Sequence, residues 1–173
     1  MNEVTVRKSI ASASGRDQEP IAIDSPDRKR LPPLMRRSWY SLNQAFRRRL
    51  APLKLTPDQF TVLRTLIESE SESEGLPQCD ISRRMTSDPN TIASLVERME
   101  KMDLITRTRK VGDRRVKLIS ITPQGLQVYH KARDIAVNLQ TEVLAAIPES
   151  HRESFLKDLE TISDACRTAL ENS

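Results

Sequence analysis

The chain has 173 residues, which is enough for one domain with a real hydrophobic core and gives no reason to expect two independent domains. Aromatic residues make up only 3% of the sequence and there are only four glycines, while 30% of the residues are charged. This composition favours helices over a sandwich of sheets. The net charge of +4 permits a polyanionic partner but does not require one.

The cysteines and the hydropathy indicate the cellular environment of the protein. Cys79 and Cys166 lie far apart, with neither metal-ligand spacing nor a disulfide framework, which indicates a reduced cytoplasmic environment. No stretch approaches the ~20 apolar residues that cross a bilayer, and the N-terminus has no apolar run of signal-peptide length. We therefore predict a soluble cytoplasmic protein without a membrane partner.

The N-terminal part divides into a tail and a first helix. Residues 1–33 mix serine, proline and charge without periodicity, so we predict a disordered polar tail. Its basic cluster at 28–30 could contact phosphates or could simply be solvated. From 34 to 51, apolar residues recur at intervals of three and four and predict an amphipathic helix. They are Met35, Trp39, Leu42, Phe46 and Leu50.

A second helix begins at a capping box. Thr56 is the predicted cap, Pro57 takes the first helical position, and Gln59 reaches back to the cap. The expected buried face consists of Phe60, Leu63, Leu66 and Ile67. The alternation of acid and serine from 68 to 75 predicts an exposed loop.

Two helices joined by a tight turn follow this loop. The segment 77–85 predicts a short helix, and only Thr86 and Ser87 separate it from Asp88, which can cap the next helix. The apolar stripe of that next helix is Ile92, Leu95, Val96 and Met99. Its opposite face carries Asn90, Thr91, Ser94, Arg98 and Lys101. Alone, this face could be an ordinary solvated surface, but the tight junction predicts a helix-turn-helix that enters a DNA major groove.

A basic β-hairpin is predicted after Leu104. β-Branched residues flank a turn signal at Gly112 and Asp113. The cations of this hairpin are Arg107, Arg109, Lys110, Arg114, Arg115 and Lys117. Such a ribbon suits phosphate contacts and insertion into a minor groove, or it could be a charged hairpin that prevents edge aggregation. Its position after the helix-turn-helix favours a wing.

Two long helices are predicted to complete the chain. Thr122 and Pro123 begin the first, and a capping box of Ser150 and Glu153 begins the second. The apolar stripe of the first is Leu126, Tyr129, Ala132, Ile135, Ala136, Leu139, Val143 and Ile147. The stripe of the second is Phe155, Leu159, Ile162, Cys166 and Leu170. This apolar surface exceeds what a small winged domain needs, so 34–51 and 123–173 are predicted to form a dimer interface around a winged helix-turn-helix at 56–122.

From residue 34 to 170 the sequence resembles the multiple-antibiotic-resistance regulator (MarR) family of winged-helix transcription factors. The resemblance rests on the helix start at 88–91, the segment 97–101, the aspartate-x-arginine wing at 113–115 and the Ile-Thr-Pro-Gln-Gly segment at 121–125. It implies a mainly helical fold with a small β-hairpin wing. It also implies a homodimer that binds a pseudo-palindromic double-stranded operator, with recognition helices in successive major grooves and wings in adjacent minor grooves.

The resemblance assigns roles to individual residues. Base-edge contacts fall to Asn90, Thr91 and Ser94, and Arg98 contacts a phosphate or a base. Arg115 becomes the minor-groove arginine, held by Asp113 across the wing turn. The remaining predicted DNA-contacting cations are Lys101, Arg107, Arg109, Lys110 and Arg114. Many relatives have arginine in place of Ser94, and a glycine in place of Asp103, whose side chain tolerates the left-handed conformation better than most.

The family also suggests how DNA could be released. Many members release DNA when a small aromatic acid binds between the dimer helices and the winged domain, or when a cysteine is oxidised. The candidate liners for such an aromatic or phenolic effector are Trp39, Asn43, Arg64 and Tyr129, although core packing would explain the aromatic residues equally well. Cys79 is the redox candidate because it lies in the first turn of its helix, where the dipole can lower a thiol pKa. We predict that Cys166 is buried by packing.

The sequence does not favour an enzyme. His130 and His151 are isolated, no glycine-rich phosphate loop is present, and no nucleophile lies beside a base at motif spacing. No metal or other cofactor is predicted. The prediction is a sequence-specific transcriptional regulator, a dimeric repressor relieved by a ligand or by oxidation. The alternative is a winged helix that acts as a protein-interaction module or antirepressor, which the basic wing disfavours.

Overall fold

The computed structural model describes residues 25, 28–69, 75–110 and 113–173, with only the backbone described at 110 and 113–115. The chain divides into two units, Met1–Ser38 and Trp39–Ser173. The elements in chain order are α1 (Leu31–Leu50), a 3₁₀ turn (Ala51–Leu53), α2 (Pro57–Glu68), β1 (Leu76–Pro77), α3 (Gln78–Arg84), α4 (Pro89–Lys101), β2 (Ile105–Lys110), β3 (Asp113–Ile121), α5 (Pro123–Leu144) and α6 (Glu149–Glu171). This mainly helical fold with a small antiparallel sheet confirms the predicted fold class.

The first helix begins earlier than predicted. It starts at Leu31 rather than at 34, so Pro32 and Pro33 lie in its first turn. Proline is tolerated there because the N–H groups of a first turn have no intrahelical partner in any case. Of the predicted tail, residues 1–24 and 26–27 lie outside the described part of the chain.

The second helix and the helix at 89–101 supply much of the core as predicted. The capping box of α2 is confirmed: Gln59 N donates to Thr56 Oγ1 at 3.2 Å, and Thr56 N donates to Gln59 Oε1 at 2.9 Å. All four predicted apolar residues of α4 are buried, as are Phe60, Leu63 and Leu66 of α2. Burying each large aliphatic side chain contributes about 1.5–3 kcal/mol. Ser69 is also buried, although the sequence placed it in an exposed loop.

The hairpin is part of a three-stranded sheet rather than an isolated ribbon. β2 and β3 pair antiparallel as predicted, from Ile105 opposite Ile121 to Arg109 opposite Lys117. A further strand, β1, was not predicted; it pairs with the other side of β3 and gives the order β1-β3-β2. A two-residue strand is too short to show the alternation of apolar and polar residues by which strands are predicted. Gly75 precedes it at φ +97°, where an added Cβ would overlap Ser120 and the Ile119 carbonyl.

The two C-terminal helices begin differently from each other. Thr122 caps α5 as predicted, since Gly125 N donates to Thr122 Oγ1 at 2.9 Å. The capping box predicted at Ser150 and Glu153 is wrong. Because α6 already begins at Glu149, the cap position falls to Pro148, which has no side-chain acceptor, and Ser150 lies inside the helix.

The apolar stripes of the terminal helices are largely uncovered in the single chain. No residue of α6 is buried, and the exposed fraction is 46% for Phe155 and 74% for Leu170. Trp39 of α1 is 65% exposed. Cys166 is exposed too, so the prediction that packing buries it is wrong for the single chain. The reason is that no helix of the described chain covers this stripe. No helix among the described residues is both long and apolar enough to span a bilayer.

Candidate nucleic-acid interface

The turn between α3 and α4 is held by backbone hydrogen bonds. Thr86 N donates to Arg83 O at 3.2 Å, and Ser87 N donates to Ser82 O at 3.0 Å. Thr86 has φ +49°, a conformation that costs a β-branched residue energy and that these bonds on either side hold in place. Ile81 and Ser82 are buried, so α3 and α4 pack closely. The geometry is that of a helix-turn-helix.

The first turn of α4 is fixed by its cap. Asp88 Oδ1 accepts hydrogen bonds from Asn90 N at 2.8 Å and from Thr91 N at 3.1 Å. These bonds satisfy two of the N–H groups that a helix leaves unpaired at its start. The backbone that carries Asn90 and Thr91 is therefore rigid. The predicted exposed face is confirmed, and its residues are Asn90, Thr91, Ser94, Arg98 and Lys101.

The two cations of this face differ in their partners. Lys101 Nζ lies 2.8 Å from Glu97 Oε1, and its hydrogen bond lowers the pKa of that carboxyl. Arg98 donates from Nε to the backbone oxygen of Ser94 at 3.3 Å. Within the described part of the chain, Arg98 has no carboxylate partner. It is consequently available to an external anion such as a phosphate.

The cations of the wing also differ in whether they have an acidic partner. Arg107 Nε donates to Glu100 Oε2 at 2.7 Å, and its Nη2 donates to the same oxygen. The hydrogen bond lowers the pKa of Glu100 and raises that of Arg107. Arg109 is exposed and lies opposite Lys117, and neither contacts an acid among the described residues. The side chains of Lys110, Asp113, Arg114 and Arg115 lie outside the described part of the chain.

Two acids that were not predicted to lie at this surface, Glu97 and Glu100, neutralise part of its charge. Glu97 and Lys101 are four residues apart on one helix, a spacing that could have revealed their pairing. Glu100 and Arg107 are seven residues apart and on different elements, so only the tertiary structure brings them together.

The end of α4 is joined to the start of α5. Thr122 Oγ1 donates to Asp103 O at 2.6 Å, and Thr122 N donates to Leu104 O at 3.1 Å. Asp103 has φ +57°, the left-handed conformation expected of a residue that stands in place of a glycine at a helix end. Gly125 approaches the Leu104 carbonyl so closely that a Cβ would overlap it. The outer face of α4 and the wing are therefore connected through one closely packed junction.

The four candidate effector residues have different environments. Tyr129 is buried and stacks on Phe60, with ring centroids 5.7 Å apart and an interplanar angle of 10°. Arg64 is exposed, with its Nε 2.7 Å from Glu68 Oε1. Trp39 is exposed and Asn43 is half-buried. Tyr129 thus contributes to the core whether or not a ligand binds.

The redox candidate lies where the sequence placed it. Cys79 is exposed in the first turn of α3, and its Sγ lies 3.9 Å from Asp80 Oδ1. Among the described residues, no group of three histidine, cysteine or acidic side chains is arranged to hold a metal ion.

A helix-turn-helix with a rigid polar outer face, followed by a basic hairpin, defines a winged-helix DNA-binding protein. The short polar side chains can contact base edges, while the unpaired cations can contact phosphates.

The comparisons with known proteins agree with this class. A sequence model of the MarR family matches residues 55–117. The HTH-type transcriptional regulator TtmR of Methylorubrum extorquens (strain PA1) is 33% identical over 119 residues, which cover 69% of this chain and 56% of TtmR. CouR from Rhodococcus jostii RHA1, solved with p-coumaroyl-CoA, has a TM-score of 0.64 and 27% identity over 75% of this chain and 88% of CouR. The S. aureus MepR–DNA complex has a TM-score of 0.72 and 21% identity, covering 80% of this chain and 99% of MepR.

Residues 55–117 of the chain match the MarR family, and the chain is a DNA-binding transcriptional regulator.

Proposed function

We propose that α4 reads an operator in the major groove and that the wing contacts the adjacent minor groove. Base-edge contacts come from Asn90, Thr91 and Ser94, whose short side chains suit close approach to the bases. Arg98 and Arg109 contact the backbone. The observation that carries the proposal is that these cations are exposed and have no carboxylate partner among the described residues, beside a capped helix start.

The tip of the wing completes the proposed interface. Arg115 enters the minor groove, where the potential is most negative and attracts arginine, and Asp113 orients it across the turn. Lys110 and Arg114 contact phosphates on either side of that groove, and Lys101 contacts a phosphate from α4. Arg107, which the sequence also assigned to DNA, is paired with Glu100 instead.

A homodimer binds a pseudo-palindromic site. The uncovered apolar stripes of α1 and α6 supply a surface for a second copy, including Trp39, Phe155 and Leu170. A two-fold dimer presents two α4 helices to two half-sites, and the half-site spacing follows from the distance between these helices.

The regulator represses transcription until a signal releases it from DNA. CouR has been solved with p-coumaroyl-CoA, which supports an aromatic or phenolic effector for this chain also. The proposed liners are Trp39, Asn43, Arg64 and Tyr129. Oxidation of the exposed Cys79 is the proposed second route of release. Because its target is genomic DNA, we expect the protein to act in the cytoplasm.

Selection of duplexes from random-sequence DNA by the purified protein tests the proposal. Recovery of a two-fold site, followed by binding measured as fluorescence anisotropy, is the expected result. Arg115→Ala should weaken binding and reduce the slope of log K against log salt, because one cation fewer neutralises the DNA and fewer counterions are released, and the loss of stability should be small. Arg133→Ala, an exposed arginine of α5, is the matched control.

An unchanged affinity and salt slope in Arg115→Ala would remove Arg115 from the interface. Failure to enrich any sequence would contradict an operator and would support the protein-interaction module instead.

A further inference from the structure

Arg107 lies at the junction between α4 and the wing, and its guanidinium is already engaged. Nε and Nη2 both donate to Glu100 Oε2. Only 27% of the Arg107 side chain and 36% of the Glu100 side chain is exposed. Hydrogen bonds between two ionised groups are stronger than neutral ones, so the Nε–Nη2 edge of Arg107 could bind a phosphate only after this contact was broken.

The alternation of side chains along β2 explains the contact. Residues opposite each other in an antiparallel pair have side chains on the same face of the sheet. Ile119, opposite Arg107, is completely buried, and so is Ile105 two residues earlier on the same face. Arg107 therefore leaves β2 on the side that packs against α4 and ends at Glu100 on that helix.

Arg109 shows the opposite behaviour two residues further along the same face. Two residues of an antiparallel strand advance about 6.8 Å, which takes Arg109 beyond the covered part of the sheet. It is exposed and lies opposite Lys117, so two like charges face each other across the strands. Such a pair is destabilising unless an external anion neutralises it. A phosphate would supply that anion.

We propose that Arg107 is a positioning residue that, through Glu100, fixes the angle between the wing and α4, and that it does not contact DNA. This inference rests on the proposed function. The helix and the wing must engage a major groove and a neighbouring minor groove at the same time. Fixing their relative position before binding avoids the cost of ordering them on the DNA.

The test compares Arg107→Gln and Glu100→Gln with the matched control Arg109→Gln. The probe is a duplex that the wild-type protein has selected from random-sequence DNA, and anisotropy gives the affinity over a series of salt concentrations. Arg107→Gln should weaken binding by up to about fivefold with an unchanged salt slope, because an exposed or half-exposed ion pair couples only weakly. Arg109→Gln should lower the slope by about 0.9.

Glu100→Gln distinguishes positioning from contact by the sign of its effect. It should weaken binding, although it removes a negative charge near the DNA, because Arg107 loses its anchor. The conservative variant Arg107→Lys should retain most of the affinity, because a lysine can still pair with Glu100. Thermal unfolding followed by circular dichroism verifies that each variant is folded at the assay temperature.

A phosphate contact by Arg107 predicts the opposite pattern. Arg107→Gln would then lower the salt slope by about as much as Arg109→Gln does, and Glu100→Gln would strengthen binding. Either result overturns the positioning role while leaving the DNA-binding function intact. A wild-type protein that binds no duplex in a salt-dependent manner would instead refute the proposed function, and the inference with it.

Discussion

At the scale of single residues, a cation on this surface has a role that depends on its neighbours. Lys101 and Arg107 each have a carboxylate partner, whereas Arg98 and Arg109 have none among the described residues. The exposed pair of Lys101 and Glu97 contributes little to stability, at most about 1 kcal/mol. Lys101 can therefore exchange its partner for a phosphate more easily than Arg107 can.

At Gly125 the addition of a single methyl group should lower the stability of the fold. In Gly125→Ala the new Cβ would overlap the Leu104 carbonyl and crowd the Ile121 side chain, and a backbone neighbour cannot rotate away. We expect the free energy of unfolding to fall by about 1–3 kcal/mol, the usual cost of overpacking. Urea denaturation measures it.

The control for this substitution is Gln127→Ala, which lies at an exposed position of the same helix. Its effect should stay within about 0.5 kcal/mol. If Gly125→Ala were equally mild, the close approach of α5 to Leu104 would not constrain this position.

At the scale of elements, the cap of α4 contributes both to the stability of the fold and to the recognition of DNA. Asp88→Ala removes the acceptor for Asn90 N and Thr91 N. We expect a loss of about 1 kcal/mol in the free energy of unfolding. Affinity for the operator should also fall, because the frayed turn carries two of the proposed base-contacting residues.

Asp58→Ala is the matched control, because Asp58 lies in the first turn of α2 but is not its cap. Asp88→Ser should keep most of the affinity, since serine is also a good cap. A full loss of binding in Asp88→Ser would mean that the carboxylate itself acts at the interface.

The contact between β2 and α4 should depend on pH in one direction. Arg107 holds the pKa of Glu100 below the usual 4.5. A carboxyl whose pKa is lower in the folded state stabilises the fold above its unfolded pKa, and this stabilisation is lost as the pH falls through the lowered value. The difference in unfolding free energy between wild type and Glu100→Gln should therefore be constant from neutral pH to about 5 and shrink below about 4.

Denaturation at several pH values, with Arg107→Gln completing a double-mutant cycle, isolates the pair from other titrating groups. A difference that grew on acidification would contradict the pairing.

At the scale of the whole molecule, the terminal helices should hold the dimer together. Phe155→Glu places a charge on the uncovered apolar stripe of α6 and should shift the protein toward the monomer. Light scattering at micromolar concentration gives the mass. DNA binding should weaken in parallel, because a monomer engages only one half-site.

Thr161→Glu introduces the same charge at an exposed position on the opposite face of α6 and serves as the control. A wild-type protein that is monomeric at this concentration would refute the dimer interface. Equal effects of both substitutions would assign the change to helix charge rather than to the stripe.

Local signals in the sequence determined much of this protein. The caps at Thr56, Asp88 and Thr122 and the buried stripe of α4 are all present as predicted, because caps and helical periodicity act over a few neighbouring residues. The left-handed conformation of Asp103 also follows from its place at a helix end. Hence the fold class and the polar face of α4 could be inferred without coordinates.

Contacts between distant segments were decided only by the tertiary structure. The strand Leu76–Pro77 forms because it can pair with the free edge of β3, and no local pattern in two residues predicts this pairing. The cap of α6 falls on Pro148 because the helix begins two residues earlier than its apparent capping box requires. Arg107 is paired because folding brings Glu100 to it. The sequence shows which charged residues an interface can contain, but the partner of each charge depends on packing between elements.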